Sequence, residues 1–330
     1  MSPAAPESNT GALEREGTAM SQATVLVHAE GPVVTLTLNR PELRNAMSMQ
    51  MVLALRSALQ QAEAQQQARV IVLRGAGGHF CAGADLKDMV AARQSAETLA
   101  EVNAAFGDLC VAFANTGIAT VAVLQGTVMG GGFGLACVVD MAIADPSVSF
   151  RLPETSLGLV PAQIAPYLVE RLGYGQARRL AVTGGRLNAQ QALLLQLVHE
   201  VHAAEDLDSA LARVLGEILQ NAPGAIATTK LLMAKSRFMP PAALVHEAAQ
   251  HFAQAALGAE GIEGTLAFLQ KRKAEWAPAA PAVPTGPAVP VAPAVPVAPA
   301  VPTAPAVPTA PAVPTATAVP RAPATPPVSK

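Results

Sequence analysis

Cysteine is scarce in this chain: Cys81, Cys110 and Cys137 are the only three in 330 residues. They are far apart, odd in number and form no C-x-x-C pair, which excludes a disulfide framework and leaves no zinc motif. Reduced thiols in a cytoplasmic protein are the expectation. Positive charge is not in excess either. The net charge is −2 and the pI near 6.3, so no global basic field points to nucleic acid. Every long apolar stretch is broken by Asp, Gly or Pro, which argues against a membrane span. Met1 to Met20 carries Glu7, Glu14, Arg15 and Glu16 and lacks the apolar centre of a secretory signal. His199, His202, His246 and His251 show no pairing with Asp or Glu that would suit a metal, so none is expected.

What is present divides into three parts. Residues 1–20 read as a disordered extension. Residues 277–330 are almost entirely Ala, Pro, Val and Thr, with an imperfect six-residue repeat running into Val319-Pro320. Proline at that density supports neither a helix nor a central strand, so a disordered, polyproline-like tail is expected. Residues 21–276 remain, long enough for one sizeable core.

Within that central part, residues 24–29 and 33–38 are apolar and β-branched around Glu30-Gly31-Pro32, the pattern of a hairpin. Helical periodicity over 47–63 and 95–114 alternates with buried-type strands at 69–73 and 118–124. Short strands at 141–144 and 148–152 follow. From Pro161 the strand signals fade, and helices are predicted at 164–172, 176–183, 189–195, 207–220, 225–237, 242–257 and 262–273. Strands alternating with helices, then a helical part from about residue 205, indicate an α/β domain with a helical C-terminal region.

Two loops carry chemistry. The first is His79-Phe80-Cys81-Ala82-Gly83-Ala84-Asp85-Leu86; the second is Gly126-Thr127-Val128-Met129-Gly130-Gly131-Gly132-Phe133-Gly134-Leu135. Each follows a strand, and the second opens a helix. Successive glycines let backbone N–H groups approach a ligand without side chains in the way, and a helix N-terminus adds partial positive charge. Neither loop spells a nucleotide motif: there is no G-x-x-x-x-G-K-[ST], and Leu135 stands where G-x-G-x-x-G needs its last glycine. About twenty residues on comes Leu152-Pro153-Glu154-Thr155-Ser156-Leu157-Gly158.

Taken in order, Asn39-Arg40-Pro41, Arg44-Asn45-Ala46, Ala82-Gly83-Ala84-Asp85-Leu86, the triple glycine and Pro153-Glu154 resemble the crotonase (enoyl-CoA hydratase/isomerase) superfamily, over about residues 25–273. The resemblance implies an α/β spiral of ββα repeats, with a helical C-terminal region used to assemble a homotrimer or a hexamer. It implies an acyl-CoA substrate, with coenzyme A as part of that substrate and no separate cofactor. The N–H groups of Ala84 and Gly131 match the family's oxyanion hole, and Glu154 matches its catalytic acid/base. By family position Ala82, Asp85, Leu86 and Gly130 belong to the surrounding substrate loops, and Arg44 together with Lys271, Arg272 or Lys273 are candidates for the CoA phosphates. Asp85 reads as a structural acceptor rather than a catalyst.

One departure stands out. Hydratases of this family carry a second glutamate two positions after the triple glycine, where this chain has Gly134. The aspartate of dienoyl-CoA isomerases and aryl-CoA dehalogenases is also absent, its position being Ala162. A single Glu154 suits a hydratase, a Δ3,Δ2-enoyl-CoA isomerase or a decarboxylase. The run around Pro161-Ala162-Gln163-Ile164 looks most like hydratases of branched glutaconyl-CoA esters, the 3-methylglutaconyl and isohexenylglutaconyl types, with Gln163 a candidate to hold the attacking water. The rival from another class is a non-catalytic acyl-CoA-binding protein.

Overall fold

The protein is described here by a computed structural model covering residues 23–65 and 67–278. The extension over residues 1–20 and the repeat-bearing tail lie outside the described residues, apart from 277 and 278.

Val25–Glu30 (β1) and Val33–Leu38 (β2) form the expected antiparallel hairpin, turning at Gly31 with φ 54°. The chain continues through Met49–Ala64 (α1), Val70–Gly75 (β3), Leu86–Ala91 (α2), Ala96–Asn115 (α3), Ala119–Leu124 (β4), Thr127–Met129 (β5), Gly131–Val138 (α4), Met141–Ala144 (β6) and Ser149–Arg151 (β7). Then come Ala165–Thr183 (α5), Arg186–Asn188 (β8), Ala189–Leu194 (α6), Glu200–Val201 (β9), Leu207–Leu219 (α7), Pro223–Ser236 (α8), Pro241–Leu257 (α9) and Ala259–Leu269 (α10).

The strands fall into two sheets, β1-β2-β3-β4-β6-β9 and β5-β7-β8. From β2 onward the larger sheet is parallel. Each turn of chain lays a strand in the larger sheet and then a short segment in the smaller one: β4 then β5, β6 then β7. In the turn before them β3 is followed by Cys81, which bridges Val128. This is the spiral of ββα repeats that the resemblance implied, and it stacks equivalent points of successive turns on one another.

Strand alternation then builds two cores. Ile71, Leu73, Ala122 and Leu124 face the larger core, whereas their neighbours Val70, Val72, Val121 and Val123 face a smaller one beneath α7. Both faces of the parallel sheet are covered, which is why β3 and β4 read as unbroken apolar runs.

The structure departs from the sequence expectations in a few places. The helices expected at 164–172 and 176–183 run as the single span α5, broken only at Gly173 (φ 72°, ψ 155°). The strands β5, β8 and β9 and the helix α2 were not anticipated. Two or three residues cannot display a period of two, and six residues barely exceed one helical turn. The C-terminal helices are present as expected. Among the described residues α8 buries no side chain, α9 buries only Leu244 and α10 only Ala267.

Candidate active site

The two loops meet because the spiral stacks them. Phe80 N–H donates to Gln125 O, Cys81 N–H to Thr127 O and Met129 N–H to Cys81 O, each at 2.9 Å, a short parallel ladder joining one turn to the next. Both loops leave that ladder through a glycine of positive φ, Gly83 (95°) and Gly130 (47°). A Cβ on Gly83 would stand 3.2 Å from Met129 O, so only glycine lets the loops approach this closely.

The neighbouring amides are then consumed. Asp85 N–H donates to Met47 O and Gly130 N–H to Arg151 O. Gly83 N–H points at the Cys81 sulfur, 3.4 Å away. Among the described residues no hydrogen bond takes the N–H of Ala84 or that of Gly131, the first residue of α4. Two unspent donors, one at a helix N-terminus, make a place for negative charge.

Glu154 enters from the next turn of the spiral, just after β7. Its Oε1 lies 3.0 Å from where a Cβ on Gly130 would be, so the carboxyl packs against the glycine loop. Its Oε2 is buried with no hydrogen-bond partner. Burial pushes the Glu154 carboxyl above its ordinary value, and its own backbone N–H offsets only part of the lost hydration.

Ala84, Gly131 and Glu154 line one cavity of about 360 Å³, together with Asp85 and Gln163. Most of the remaining wall is apolar, including Met47, Met89, Leu99, Val102 and Phe106. The other expected site residues sit outside the lining. Ala82 and Gly130 belong to the loop backbones beneath it, and Leu86 is an exposed first residue of α2. Arg44 is exposed and contributes its carbonyl, which accepts from Ala82 N–H; Lys271 is exposed beyond α10.

Asp85 is the structural acceptor expected. It caps α2 by accepting from Lys87 N–H and pairs with Arg40 at 2.8 Å. Burial alone would raise its carboxyl, but the Arg40 guanidinium and the Lys87 N–H outweigh it and hold Asp85 below the usual carboxylate range. Asn45, wholly buried, ties the first loop down through Ala76 O and His79 O. The motifs Asn39-Arg40-Pro41 and Arg44-Asn45-Ala46 thus brace the site from outside it.

The structure also explains Gly134. A Cβ there would fall 2.2 Å from the Ile164 methyl group Cγ2 and 3.5 Å from the Phe106 ring. The space a second carboxylate would need is filled by hydrocarbon. Three residues of this region were missed from sequence: Ile164, Phe106 and Asn103. The signal was there in the i, i+3, i+4, i+7 spacing of Leu99, Val102, Asn103 and Phe106, which gives α3 one face toward the cavity with a single polar residue in it.

A larger cavity of about 910 Å³ shares no lining residue with this one. Its charged groups are spent inside the protein: Lys230 pairs with Asp140 at 2.6 Å, and Arg171 donates to the carbonyls of Cys137 and Val139. The smaller cavity, which holds the unpaired carboxyl and the two unspent amides, is the candidate active site.

A spiral of this kind with paired loop amides facing a half-buried carboxyl defines a crotonase-type protein. A sequence model of the enoyl-CoA hydratase/isomerase family matches residues 28–279, and the chain belongs to that family. It is 31 % identical over 250 residues to 2,3-dehydroadipyl-CoA hydratase of Escherichia coli (strain K12), covering 75 % of this chain and 96 % of that protein. It is 32 % identical over 259 residues to human "Enoyl-CoA hydratase domain-containing protein 2, mitochondrial", covering 76 % and 87 %. Among solved structures, Pseudomonas aeruginosa AtuE is 49 % identical with a TM-score of 0.76, covering 77 % of this chain and all of that one. An enoyl-CoA hydratase/isomerase from Marinobacter aquaeolei is 45 % identical with a TM-score of 0.75, covering 77 % and 99 %. The protein is therefore an enzyme of the enoyl-CoA hydratase/isomerase family. No helix among the described residues is long and apolar enough to cross a membrane.

Proposed function

We propose that the enzyme adds water across the double bond of a 2-enoyl-CoA, using Glu154 as its one acid/base group. The observation that carries this reading is the convergence of the Ala84 and Gly131 amides with a buried, partnerless Glu154 oxygen on one cavity. The thioester oxygen accepts from the two N–H groups. Glu154 takes a proton from water as the water oxygen bonds C3, and the double-bond electrons move to the thioester oxygen as an enolate. The protonated Glu154 then returns that proton to C2, and the carbonyl re-forms. Preorganised donors at the developing oxyanion suit this step, and a carboxyl raised toward neutrality can both take and give the proton.

The substrate we favour is a branched glutaconyl-CoA of the 3-methylglutaconyl type, coenzyme A entering as part of it. Gln163 in the cavity wall supports the reading as part of a polar amide pair with Asn103, which leaves its Nε2 engaged at 2.9 Å rather than free for the attacking water. Arg44 and Lys271, both exposed, are assigned to the CoA phosphates. The exposed apolar faces of α8–α10 are assigned to contacts between copies in a homotrimer or hexamer.

The hydrocarbon packed at Gly134 also favours a second reading, since isomerisation of a 3-enoyl-CoA or loss of CO2 needs no second carboxylate. One experiment separates them: incubate crotonyl-CoA, a 3-enoyl-CoA and 3-methylglutaconyl-CoA with the enzyme and identify products by mass and NMR. Hydration adds the mass of water, migration changes no mass, and decarboxylation removes CO2. Glu154→Gln should lower kcat by about 10²-fold or more; wild-type kcat in that variant on the best substrate refutes the assignment of Glu154.

A further inference from the structure

The cavity holds an amide pair whose arrangement goes beyond a general thioester site. Helix α3 presents Leu99, Val102, Asn103 and Phe106 to it. The Phe106 ring marks the oxyanion end, its Cζ lying 3.2 Å from where a Cβ on Gly131 would be. Asn103 sits nearly one turn back, displaced about 4.5 Å along the helix axis. An acyl chain that is anchored at the Gly131 amide and runs back along α3 reaches Asn103 with its distal atoms.

Asn103 is held in a set pose. Its Oδ1 accepts from Gln163 Nε2 at 2.9 Å. Gln163 is seated in turn by Gly107, where a Cβ would lie 2.3 Å from its Oε1. Glycine inside a 20-residue helix is destabilising relative to alanine, so this helix keeps a weak residue where the Gln163 amide needs the room. With Gln163 committed to the pair, the Asn103 Nδ2 donors have no partner among the described residues. The other polar groups of the wall are engaged or assigned: Asp85 with Arg40, Asp88 with Met49 N–H, and Glu154 with the proton transfer. No Lys, Arg or His lines this cavity among the described residues. A polar group on the substrate is thus met by an amide N–H and not by an ion pair. Asn103 is exposed, so such a group keeps part of its hydration while it is held.

We propose that Asn103, positioned by Gln163 over Gly107, determines substrate specificity by donating to a hydrogen-bond acceptor at the distal end of the acyl chain, beside a wall that accommodates an apolar arm. The substrate class is a 2-enoyl thioester whose acyl chain ends in a carboxyl or carbonyl oxygen and packs its hydrocarbon against the apolar wall. This rests on the thioester reading above, and the test keeps the two separable.

The test compares kcat/KM for 3-methylglutaconyl-CoA, its distal methyl ester, 3-methylpent-2-enoyl-CoA and crotonyl-CoA in wild type, Asn103→Leu, Asn103→Asp and Gly107→Ala, with thermal unfolding as a check on folding. The wild type should prefer the two acceptor-bearing substrates over the hydrocarbon. Asn103→Leu should cut that preference by about tenfold, the worth of one net hydrogen bond, chiefly through KM. Asn103→Asp should penalise the carboxylate more than the methyl ester. Gly107→Ala should move the preference in the same direction as Asn103→Leu, by displacing the Gln163 amide. Equal losses on all four substrates in Asn103→Leu, or a preference left intact, overturn the proposal. A wild type that hydrates crotonyl-CoA but shows no preference for an acceptor also overturns it while sparing the thioester reading. Turnover of none of the four sinks both.

Discussion

Helices α4 and α8 are opposites. Seven of the eight residues of α4 are buried, whereas α8, with fourteen residues, buries none. The first begins with an unspent N–H at Gly131 and drives Phe133, Leu135 and Ala136 into the main core. The second opens a C-terminal region that leaves Phe238, Phe252 and Phe268 each at least 75 % exposed. A donor that must meet developing charge without rearranging has to be fixed by its surroundings, and close packing supplies that rigidity. The contrast separates the wall of the candidate site from an uncovered face within one chain.

The largest effects are expected where the buried side of this comparison is broken. Glu154→Gln should lower kcat by about 10²- to 10⁴-fold, the usual worth of a positioned acid/base, in a steady-state hydration assay. Gly131→Pro deletes one donor at a helix position that tolerates proline, and about 10²- to 10³-fold of kcat should go with it. Gly131→Ala is its control. It keeps the N–H and adds only the Cβ that would press on Phe106, so a loss as large as in Gly131→Pro would show that the amide is not a donor to substrate.

Next in size is stability. Gly134→Glu places a side chain where Ile164 already sits, and overpacking of about 1–3 kcal/mol or more should appear in urea unfolding. Ile164→Ala in the same chain should recover part of it. If the single variant instead unfolds like wild type, the apolar plug is not rigid.

A smaller effect has a definite sign. Because the Glu154 carboxyl is raised in the folded state, its ionisation costs stability as pH rises through the ordinary carboxylate range to the raised value. Glu154→Gln removes that cost. The variant should melt at or above the wild-type temperature near neutral pH, and the gain should vanish in acid below the ordinary carboxylate range. A variant that melts lower at neutral pH would show that the carboxylate is stabilised after all.

The smallest effect belongs to the exposed side. Phe252→Ser should change protomer stability by no more than about 0.5 kcal/mol, as is usual for surface positions. Light scattering should nonetheless report a smaller assembly, and an unchanged mass would remove that face from the proposed contact.

The hairpin at Gly31, the strands over β3 and β4 and the long helices were legible, because each shows a period of two, a buried run or a period near 3.6 over enough residues. So was the pairing of the Ala84 and Gly131 loops with Glu154, since five motifs in order carry it. The short strands β5, β8 and β9 were not, and neither was the continuity of α5 through Gly173. Asn103 lay in plain view on α3, but the sequence offers no way to see that Gly107 makes room for Gln163 beside it.

The sequence by itself determined the alternation of strand and helix, the glycines that free two amides, and the loss of a carboxylate at Gly134. These are local properties, set by side-chain size and by which backbone angles a residue tolerates. Only the tertiary structure decided that Gly134 is closed by Ile164, that Glu154 keeps an oxygen without a partner, and that Asn103 keeps a donor free. Those outcomes depend on which atoms from distant segments fill the same small volume, and close packing decides that only once the spiral has been wound.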